Sequence, residues 1–335
     1  MTTTTPPALR STTLRQSLIV SGLFVVGLLV INFVFFPPST VVTVVLSGLY
    51  QGMLFFLVAS GMSIVFGLLD VLNLAQGAFF MIGAYAGFAI YGTLPESVSL
   101  EVRFVAALVG ATVFGGLVGL AVEVGLLRPL YARPVFQIVL TFGLAAAINE
   151  IVRAIYGPAG LIPIDPPAAL DTTLAIAGGR FETYRVFIIA VGLILMVGIS
   201  LLLQRTRLGI VIRAGVQDRE MVEALGINVR RVFTLVFMLG TAVAALGGMT
   251  AAPFLGAYPG MGTDFLLTAV IVIVIGGMSS YEGTAIASIL VGLTRATAEQ
   301  ISLQYLNTPI LASVSILIFM IVVLLVRPSG LFGKE

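Results

Sequence analysis

The feature that most restricts the fold of this chain is a run of 54 residues, 16–69, that contains no charged side chain. A helix crosses the roughly 30 Å hydrocarbon core of a bilayer in about 20 apolar residues, so this run has room for two spans. Over the whole chain 59% of the residues are hydrophobic and 10% are charged, whereas a soluble domain has about 25% charged residues. The sequence therefore predicts an all-α polytopic integral membrane protein.

Hydropathy divides the chain into ten apolar segments, which predict about ten transmembrane helices. Proline pairs or arginine clusters separate most of them, as is typical where helices end. The segments cover residues 17–36, 41–66, 74–94, 104–127, 135–156, 184–204, 232–252, 264–279, 283–300 and 310–326. The eighth and ninth are weak, because the 17 uncharged residues between Asp264 and Glu282 make only about 26 Å of helix. Eight spans plus one re-entrant pair is the alternative.

The arginines predict that both termini are cytoplasmic. With the N-terminus inside, 12 of the 17 Lys and Arg residues fall on the inner side, as the positive-inside rule expects. We expect residues 1–16 to be a disordered cytoplasmic N-terminus and residues 17–335 to form a single transmembrane domain. Within that domain, residues 205–231 form the longest cytoplasmic loop.

Several kinds of chemistry are excluded by missing residue types. The chain has no cysteine and no histidine, which removes thiol chemistry, the usual zinc ligand and the usual general base near neutral pH. Its single lysine, Lys334, is terminal, so a Walker A phosphate loop cannot be built. The stretch GMGTD at 260–264 resembles the intramembrane aspartyl-protease pattern, but an extra Thr spoils the spacing. We expect no cofactor and no metal, and if ATP powers the protein, another chain binds it.

Two apolar segments are interrupted by glycine and polar residues, one in each half of the chain. LLDVLNLAQGAFFMIGAYAGF at 68–88 and GGMSSYEGTAIASILVGL at 276–293 each resume as a helix rich in small residues. Paired interruptions of this kind point to a transport site. We therefore predict broken helices near 67–77 and 276–283, and a substrate pathway that includes Asp70, Asn73, Gln76, Gly77, Ser279 and Ser280. Capping of the following helix is the alternative role for Asp70.

The long cytoplasmic loop contains apolar residues spaced among charges. This spacing predicts a short amphipathic helix in its second half, and Gly226 stands where a helix C-cap is needed. Such a helix can lie on a membrane surface or dock into a groove on a partner. Charges of both signs favour a protein partner over anionic lipid.

Three stretches together resemble one family. GLLDVLNLAQGAFFMIGAY, RAGVQDREMVEALGIN and GGMSSYEGTAIASILVGL are similar to segments of LivH-type permeases, the membrane subunits of ABC importers for branched-chain amino acids or related urea and amide solutes. The likeness runs from about residue 41 to the C-terminus. It implies a multi-pass permease in the bacterial cytoplasmic (inner) membrane, without enzymatic activity of its own. The implied partners are a second, LivM-type permease, two ATP-binding subunits and a soluble substrate-binding protein.

The resemblance also implies a role for the loop. It identifies a coupling segment that docks on the ATPase and includes Arg213, Asp218, Glu223, Ala224, Leu225 and Gly226. One position departs from the family: many members have His where this chain has Gln76, and a glutamine cannot gain a proton near neutral pH. A stand-alone secondary transporter or channel for small amides or amino acids is the alternative function.

The remaining charges near membrane depth have simpler interpretations. Spacings of three and four residues predict structural ion pairs between Glu150 and Arg153 and between Arg295 and Glu299. Glu123 is expected at the inner membrane surface. Asp264 and Glu282 are either rims of the pathway or solvated ends of a span.

Overall fold

The computed structural model describes residues 7–69, 73–131, 133–176, 178–217, 219–278, 280–308 and 310–333. Within these ranges it does not describe the side chains of residues 7–16, 68, 69, 213 and 216–220.

The described residues form a bundle of α-helices, and each of the ten predicted apolar segments coincides with one of them. The helices are Pro7–Phe35 (α1), Pro38–Leu69 (α2), Gln76–Thr93 (α3), Leu100–Val122 (α4), Pro134–Tyr156 (α5), Thr183–Arg205 (α6), Arg207–Gln217 (α7), Arg219–Ala224 (α8), Val229–Leu255 (α9), Met261–Gly276 (α10), Tyr281–Leu306 (α11) and Ile310–Val326 (α12). A π-helical turn, Glu123–Leu127, and a 3-10 turn, Arg128–Leu130, extend α4.

Within the described residues, six helices are long and apolar enough to cross a membrane, which makes this a multi-pass membrane protein. These are α1, α2, α4, α5, α6 and α9. The pair α10 and α11 is bent by 118° at the break between them and adds a seventh span if it is counted as one. Helix α12 is apolar but has only 17 residues.

Two regions differ from the sequence-based expectation. Helix α1 begins at Pro7, so residues 7–16 are helical where disorder was expected. A β-hairpin of Thr173–Ile176 (β1) and Gly179–Glu182 (β2) interrupts the all-α pattern between α5 and α6. Its turn includes Gly178, whose φ of +84° is open to glycine but strained for other residues.

The core of the bundle is built from α2, α3, α9 and α11, and small residues let these helices approach closely. A Cβ atom on Gly83 of α3 would collide with the backbone of Ala245 in α9. Gly48 and Gly52 of α2 are held in the same way against α11. Because lipid tails are as apolar as the helices, close van der Waals contact is the main attraction available between them. Helices α1, α5, α6 and α12 expose broad apolar faces, as lipid contact requires.

Replacing Gly83 by alanine tests this packing. Alanine normally stabilises a helix interior by about 1 kcal/mol over glycine, but here its methyl group meets the Ala245 backbone. We expect a net loss of about 1–3 kcal/mol and a fall of several degrees in the midpoint of thermal unfolding in detergent. Gly143→Ala in α5 is the matched control, because nothing lies within 4 Å of its Cβ position. Equal midpoints for the two variants would contradict the packing argument.

Candidate functional site

The first broken helix is held together by a chain of buried amide hydrogen bonds. Asn73 and Gln76 are 1% and 0% exposed. Asn73 Nδ2 donates to Gln76 Oε1 at 3.1 Å, and Asn73 Oδ1 accepts from the backbone N–H of Ala75 at 3.1 Å. Gln76 Nε2 donates to the carbonyl of Gly240 in α9 at 2.9 Å. The structure thus brings two of the predicted pathway residues together, with their amides bound to each other and to the backbone.

This break lies inside the bundle and not at its end. Gly240 is 11 residues after Val229, about 16 Å along α9. The side chain of Gln76 also packs on Gly61, which is eight residues, or about 12 Å, before the end of α2. Helix α3 therefore begins near the middle of the bundle.

Helix α10 begins at the same place. A Cβ on Gly77 would collide with the carbonyl of Gly262, and a Cβ on Gly262 would lie 2.7 Å from the carbonyl of Gly77. The first turns of α3 and α10 therefore touch backbone to backbone, and Gly77 is required for this contact. Gly260, with a φ of +94°, turns the chain into α10 and donates its N–H to Asn149 Oδ1 at 3.1 Å. Helix N-termini carry partial positive charge, so two of them meet here.

A small cavity adjoins this contact. Its lining is mostly apolar, with two polar side chains, and comes from the α3, α5 and α10 regions: Leu74, Ala78, Met81, Ala145, Asn149, Gly260, Gly262, Thr263 and Leu266. The arrangement places an apolar surface beside an amide, a hydroxyl and two helix N-termini. Sequence reasoning missed Asn149 and Thr263. An asparagine inside the apolar run of α5 was the available signal.

The second break is closed by the chain itself. Ser280 is the N-cap of α11, and its hydroxyl accepts from the N–H of Gly283 at 3.0 Å. The C-terminal segment fills the gap, since Leu331 N–H donates to the Ile275 carbonyl at 2.7 Å and Phe332 N–H to the Gly276 carbonyl at 3.1 Å. Ser280 is therefore occupied as a helix cap in this conformation. Ser279 and Asp70 lie outside the described residues.

The loop that the sequence predicted to be cytoplasmic holds two helices, α7 and α8, where one was predicted in its second half. Val222 is 3% exposed and anchors α8, whereas Met221 and Leu225 are 63% and 72% exposed. Glu223, Ala224 and Gly226 are exposed too. Gly226 has a φ of +79° and ends the helix, as predicted. The loop thus presents apolar side chains and a carboxylate away from the bundle. Asp218 lies outside the described residues, and the side chain of Arg213 is not described.

The Glu123 side chain is 0% exposed, so this carboxylate is buried within the protein. It accepts from Thr234 Oγ1 at 2.7 Å, from Arg128 Nη2 at 3.4 Å and from the hydroxyl of Tyr131. The π-helical turn that begins at Glu123 turns this carboxylate inward. Thr234 lies in the second turn of α9, directly after the cytoplasmic loop, so the cluster joins α4 to the start of α9.

Of the two ion pairs predicted from residue spacing, one forms and the other does not. Arg153 and Glu150 form the predicted ion pair at 3.3 Å. Arg295 and Glu299 form none in the described part of the chain, so that prediction is wrong. The Arg295 guanidinium lies over the ring of Phe55, 5.5 Å from its centroid.

The carboxylates of Asp264 and Glu282, which bracket the short apolar segment of α10, each accept a hydrogen bond within the protein. Asp264 accepts from the Tyr258 hydroxyl at 3.1 Å, and Glu282 accepts from Gln204 Nε2 at 2.8 Å. Burial raises the pKa of Tyr258 to about 12, with Asp264 adding to the effect. The Tyr258 hydroxyl therefore stays protonated and continues to donate near neutral pH.

Broken helices that meet inside a polytopic bundle, together with an exposed helix in a loop between two spans, are typical of a membrane transport subunit. Residues 44–325 match the model of the family described as "Branched-chain amino acid transport system / permease component". The chain belongs to this family, and the match confirms the resemblance seen in the three motifs. It is a transport subunit of the ABC-importer type and not itself an enzyme.

Curated relatives match over most of their own length. The high-affinity branched-chain amino acid transport system permease protein LivH of Escherichia coli (strain K12) is 27% identical over 86% of this chain and 94% of the relative. The corresponding permease protein BraD of Pseudomonas aeruginosa has the same identity and coverage. A solved structure, PsaBC from Streptococcus pneumoniae in complex with Fab, matches with a TM-score of 0.42 and 14% identity over 84% of this chain and 89% of that chain.

Removing the buried carboxylate of Glu123 tests the cluster at the start of α9. Glu123→Ala leaves Arg128 without its ion-pair partner and removes the carboxylate that accepts from Thr234 and Tyr131. We expect a loss of about 2–4 kcal/mol, below the full value for a buried pair because Arg128 is 35% exposed. Glu150→Ala, which breaks an exposed pair, is expected to cost under about 1 kcal/mol. Thermal unfolding in detergent measures both, and similar shifts would contradict the assignment.

Proposed function

We propose that this chain is one of two permease subunits of an ATP-driven importer in the bacterial inner membrane. The importer moves branched-chain amino acids from a soluble binding protein into the cytoplasm. The observation that carries the proposal is the meeting of α3 and α10 inside the bundle, beside a small cavity with a mostly apolar lining. The family membership and the names of the curated relatives support the same solute class.

The pathway runs past the contact between α3 and α10. Asn73 and Gln76 hydrogen-bond to each other, and Gln76 also binds the Gly240 carbonyl. These bonds fix the backbone at the start of α3, where Gly77 contacts α10. The two amides therefore shape the pathway indirectly. Asn149 and Thr263 are the polar groups that face the cavity. Asp70 and Ser279, which flank the two breaks in the sequence, remain proposed pathway residues, and Ser280 supports the second break as a cap.

Ten spans with both termini cytoplasmic remain the proposed topology. Contacts between helix ends support it. At one end of the bundle Gln204 of α6 meets Glu282 of α11, and the C-terminal segment meets α10. At the other end Leu161, before the hairpin, bridges to Ala257 after α9. Along the chain, these helix ends fall on one side of the bundle and then on the other. This is the order expected if α10 and α11 each crossed the membrane.

Single cysteines test this topology without background, because the natural chain has no cysteine. Met278, in the connection between α10 and α11, is 43% exposed. We expect Met278→Cys to react with a membrane-impermeant maleimide from the cytoplasmic side only. Leu225→Cys and Ile162→Cys, at 72% and 84% exposure, serve as the inner and outer controls. Labelling of Met278→Cys from the outside would favour the re-entrant pair.

The exposed α8 is the proposed coupling helix. Met221 and Leu225 offer apolar surface, and Glu223 offers a carboxylate, to a groove on an ATP-binding subunit. Val222 fixes the helix to the bundle. Movement of α8 then reaches α9, which begins four residues after Leu225, and through Thr234 reaches Glu123 at the end of α4. Closure of two ATP-binding subunits would in this way move the helices that border the pathway.

Reconstitution tests the function and the coupling role together. The complete complex in proteoliposomes is expected to take up L-leucine from loaded binding protein only when ATP is present. Glu223→Lys is expected to lower the ATPase stimulation by loaded binding protein at least ten-fold, because it reverses the charge at the docking surface. Glu96→Lys, exposed in the connection between α3 and α4, is the control and should keep full coupling. Leucine uptake by this chain alone along an ion gradient would overturn the proposal.

A further inference from the structure

We infer that Arg295 and Glu299 of α11 form a binding site for the two charges of a zwitterionic amino acid, with the guanidinium taking the α-carboxylate and Glu299 taking the α-ammonium group. The inference rests on the proposed function, since it assigns a binding site to the solute of that importer.

Arg295 is held far from both ends of its helix. It lies 14 residues after Tyr281 and 11 before Leu306, about 21 Å and 16 Å along α11. Its neighbour Phe55 lies 17 residues after the start of α2 and 14 before its end. The guanidinium is therefore near the middle of two long core helices.

This arginine lacks the partners that such a position demands. Among the described residues, no carboxylate comes within ion-pair distance of its guanidinium, and its buried Nε has no hydrogen-bond partner. An unpaired charge at this depth is costly, and such residues mark ion or solute pathways. By contrast Arg185, in the outer part of α6, pairs with Glu182 at 3.0 Å. The cation–π contact with Phe55 offsets only part of the cost for Arg295.

Glu299 lies one turn further along α11 and is also short of partners. Its carboxylate accepts one hydrogen bond, from Gln51 Nε2 at 3.2 Å. Gln51 Oε1 is buried and has no partner among the described residues. The four-residue spacing would let Arg295 and Glu299 pair with each other, but they are held apart.

The missing partners match the two ends of an amino acid. The unsatisfied donors belong to Arg295, and a carboxylate supplies acceptors in the planar geometry that a guanidinium binds well. The buried unsatisfied acceptor is Gln51 Oε1, the Glu299 carboxylate beside it accepts one hydrogen bond, and an ammonium group supplies three donors. One cation and one anion sum to zero charge, which a net-neutral zwitterion complements and a simple ion does not.

Aromatic side chains lie between Arg295 and the contact of α3 with α10. Phe55, beneath Arg295, packs 6.1 Å from the ring of Phe265 in α10. Phe265 is one turn after Met261, where α10 meets α3. The Tyr258 hydroxyl, just before α10, donates to Asp264 in the first turn of that helix. Phe55 and Phe265 thus form an aromatic surface between the Arg295–Glu299 site and the contact of α3 with α10. A solute released from the site meets this surface before it reaches that contact.

The test uses the complete complex in proteoliposomes with L-leucine as the probe. We expect Arg295→Gln and Glu299→Gln each to lower ATP-driven leucine uptake at least ten-fold. Arg295→Lys, which keeps the charge but not the planar fork, should lose less. Arg153→Gln is the matched control, because Arg153 sits in an exposed ion pair of α5, and it should transport normally.

A second measurement separates a binding role from a structural one. Radiolabelled L-leucine is bound to the complex in nanodiscs without binding protein, and unlabelled 3-methylbutylamine, which lacks the carboxylate, is added as competitor. In the natural complex the amine should compete at least ten-fold less well than leucine, and in Arg295→Gln this difference should disappear.

The failures of the two proposals are distinguishable. Arg295→Gln complexes that take up leucine at the natural rate would overturn the site and leave the importer intact. Loss of the second permease from Arg295→Gln complexes during size-exclusion chromatography would also overturn it, because Arg295 would then be an anchor for a carboxylate of that subunit. Absence of ATP-driven leucine uptake in the natural complex would overturn the proposed function, and the site with it.

Discussion

The structure depends on one constraint: a backbone that breaks inside a membrane has no water to satisfy its polar groups. The start of α3 meets this demand with Asn73 and Gln76, which bind one another, the N–H of Ala75 and the carbonyl of Gly240. At the break between α10 and α11, which the proposed topology places at an end of the bundle, the Ser280 cap and the returning C-terminal segment bind the backbone in the same way. The start of α10 is held by the Gly260 N–H, which donates to Asn149 Oδ1. Because the protein satisfies the backbone at both starts, α3 and α10 can begin near the middle of the bundle, and a cavity can exist between them.

Glycine makes the meeting of the broken helices possible. Gly77 and Gly262 face each other so closely that neither can carry a Cβ, and this proximity brings two positive helix N-termini together. A longer side chain at either position would separate α3 from α10 and change the shape of the cavity. The same residue type serves the core, where Gly83 admits the backbone of α9 to α3. Helix packing in the core and the contact between α3 and α10 thus both depend on the absence of a Cβ atom in glycine.

Much of this architecture could be predicted from the sequence, because hydropathy and helix-ending residues are local signals. All ten apolar segments coincide with helices, and the exposed α8 is followed by Gly226 with a positive φ, as expected. The roles of individual polar residues were less accessible, since they depend on partners distant in the chain. Gln76 binds a carbonyl 164 residues away, and Glu123 is buried by Thr234, 111 residues away. The hairpin of β1 and β2 is too short, at four residues a strand, to leave a periodic pattern.

The two charged clusters of the core show how a structural charge differs from one that awaits a ligand. Glu123 is fully buried, but its carboxylate is bound by a hydroxyl, a guanidinium and a phenol, so its desolvation is compensated. Arg295 and Glu299 have opposite charges and a spacing that permits pairing, yet each is directed to a different neighbour. If stability alone governed this position, the direct pair would be the simpler solution. Keeping the charges separate leaves a donor on one side and acceptors on the other, which is the pattern that a zwitterion completes and then vacates as it moves on.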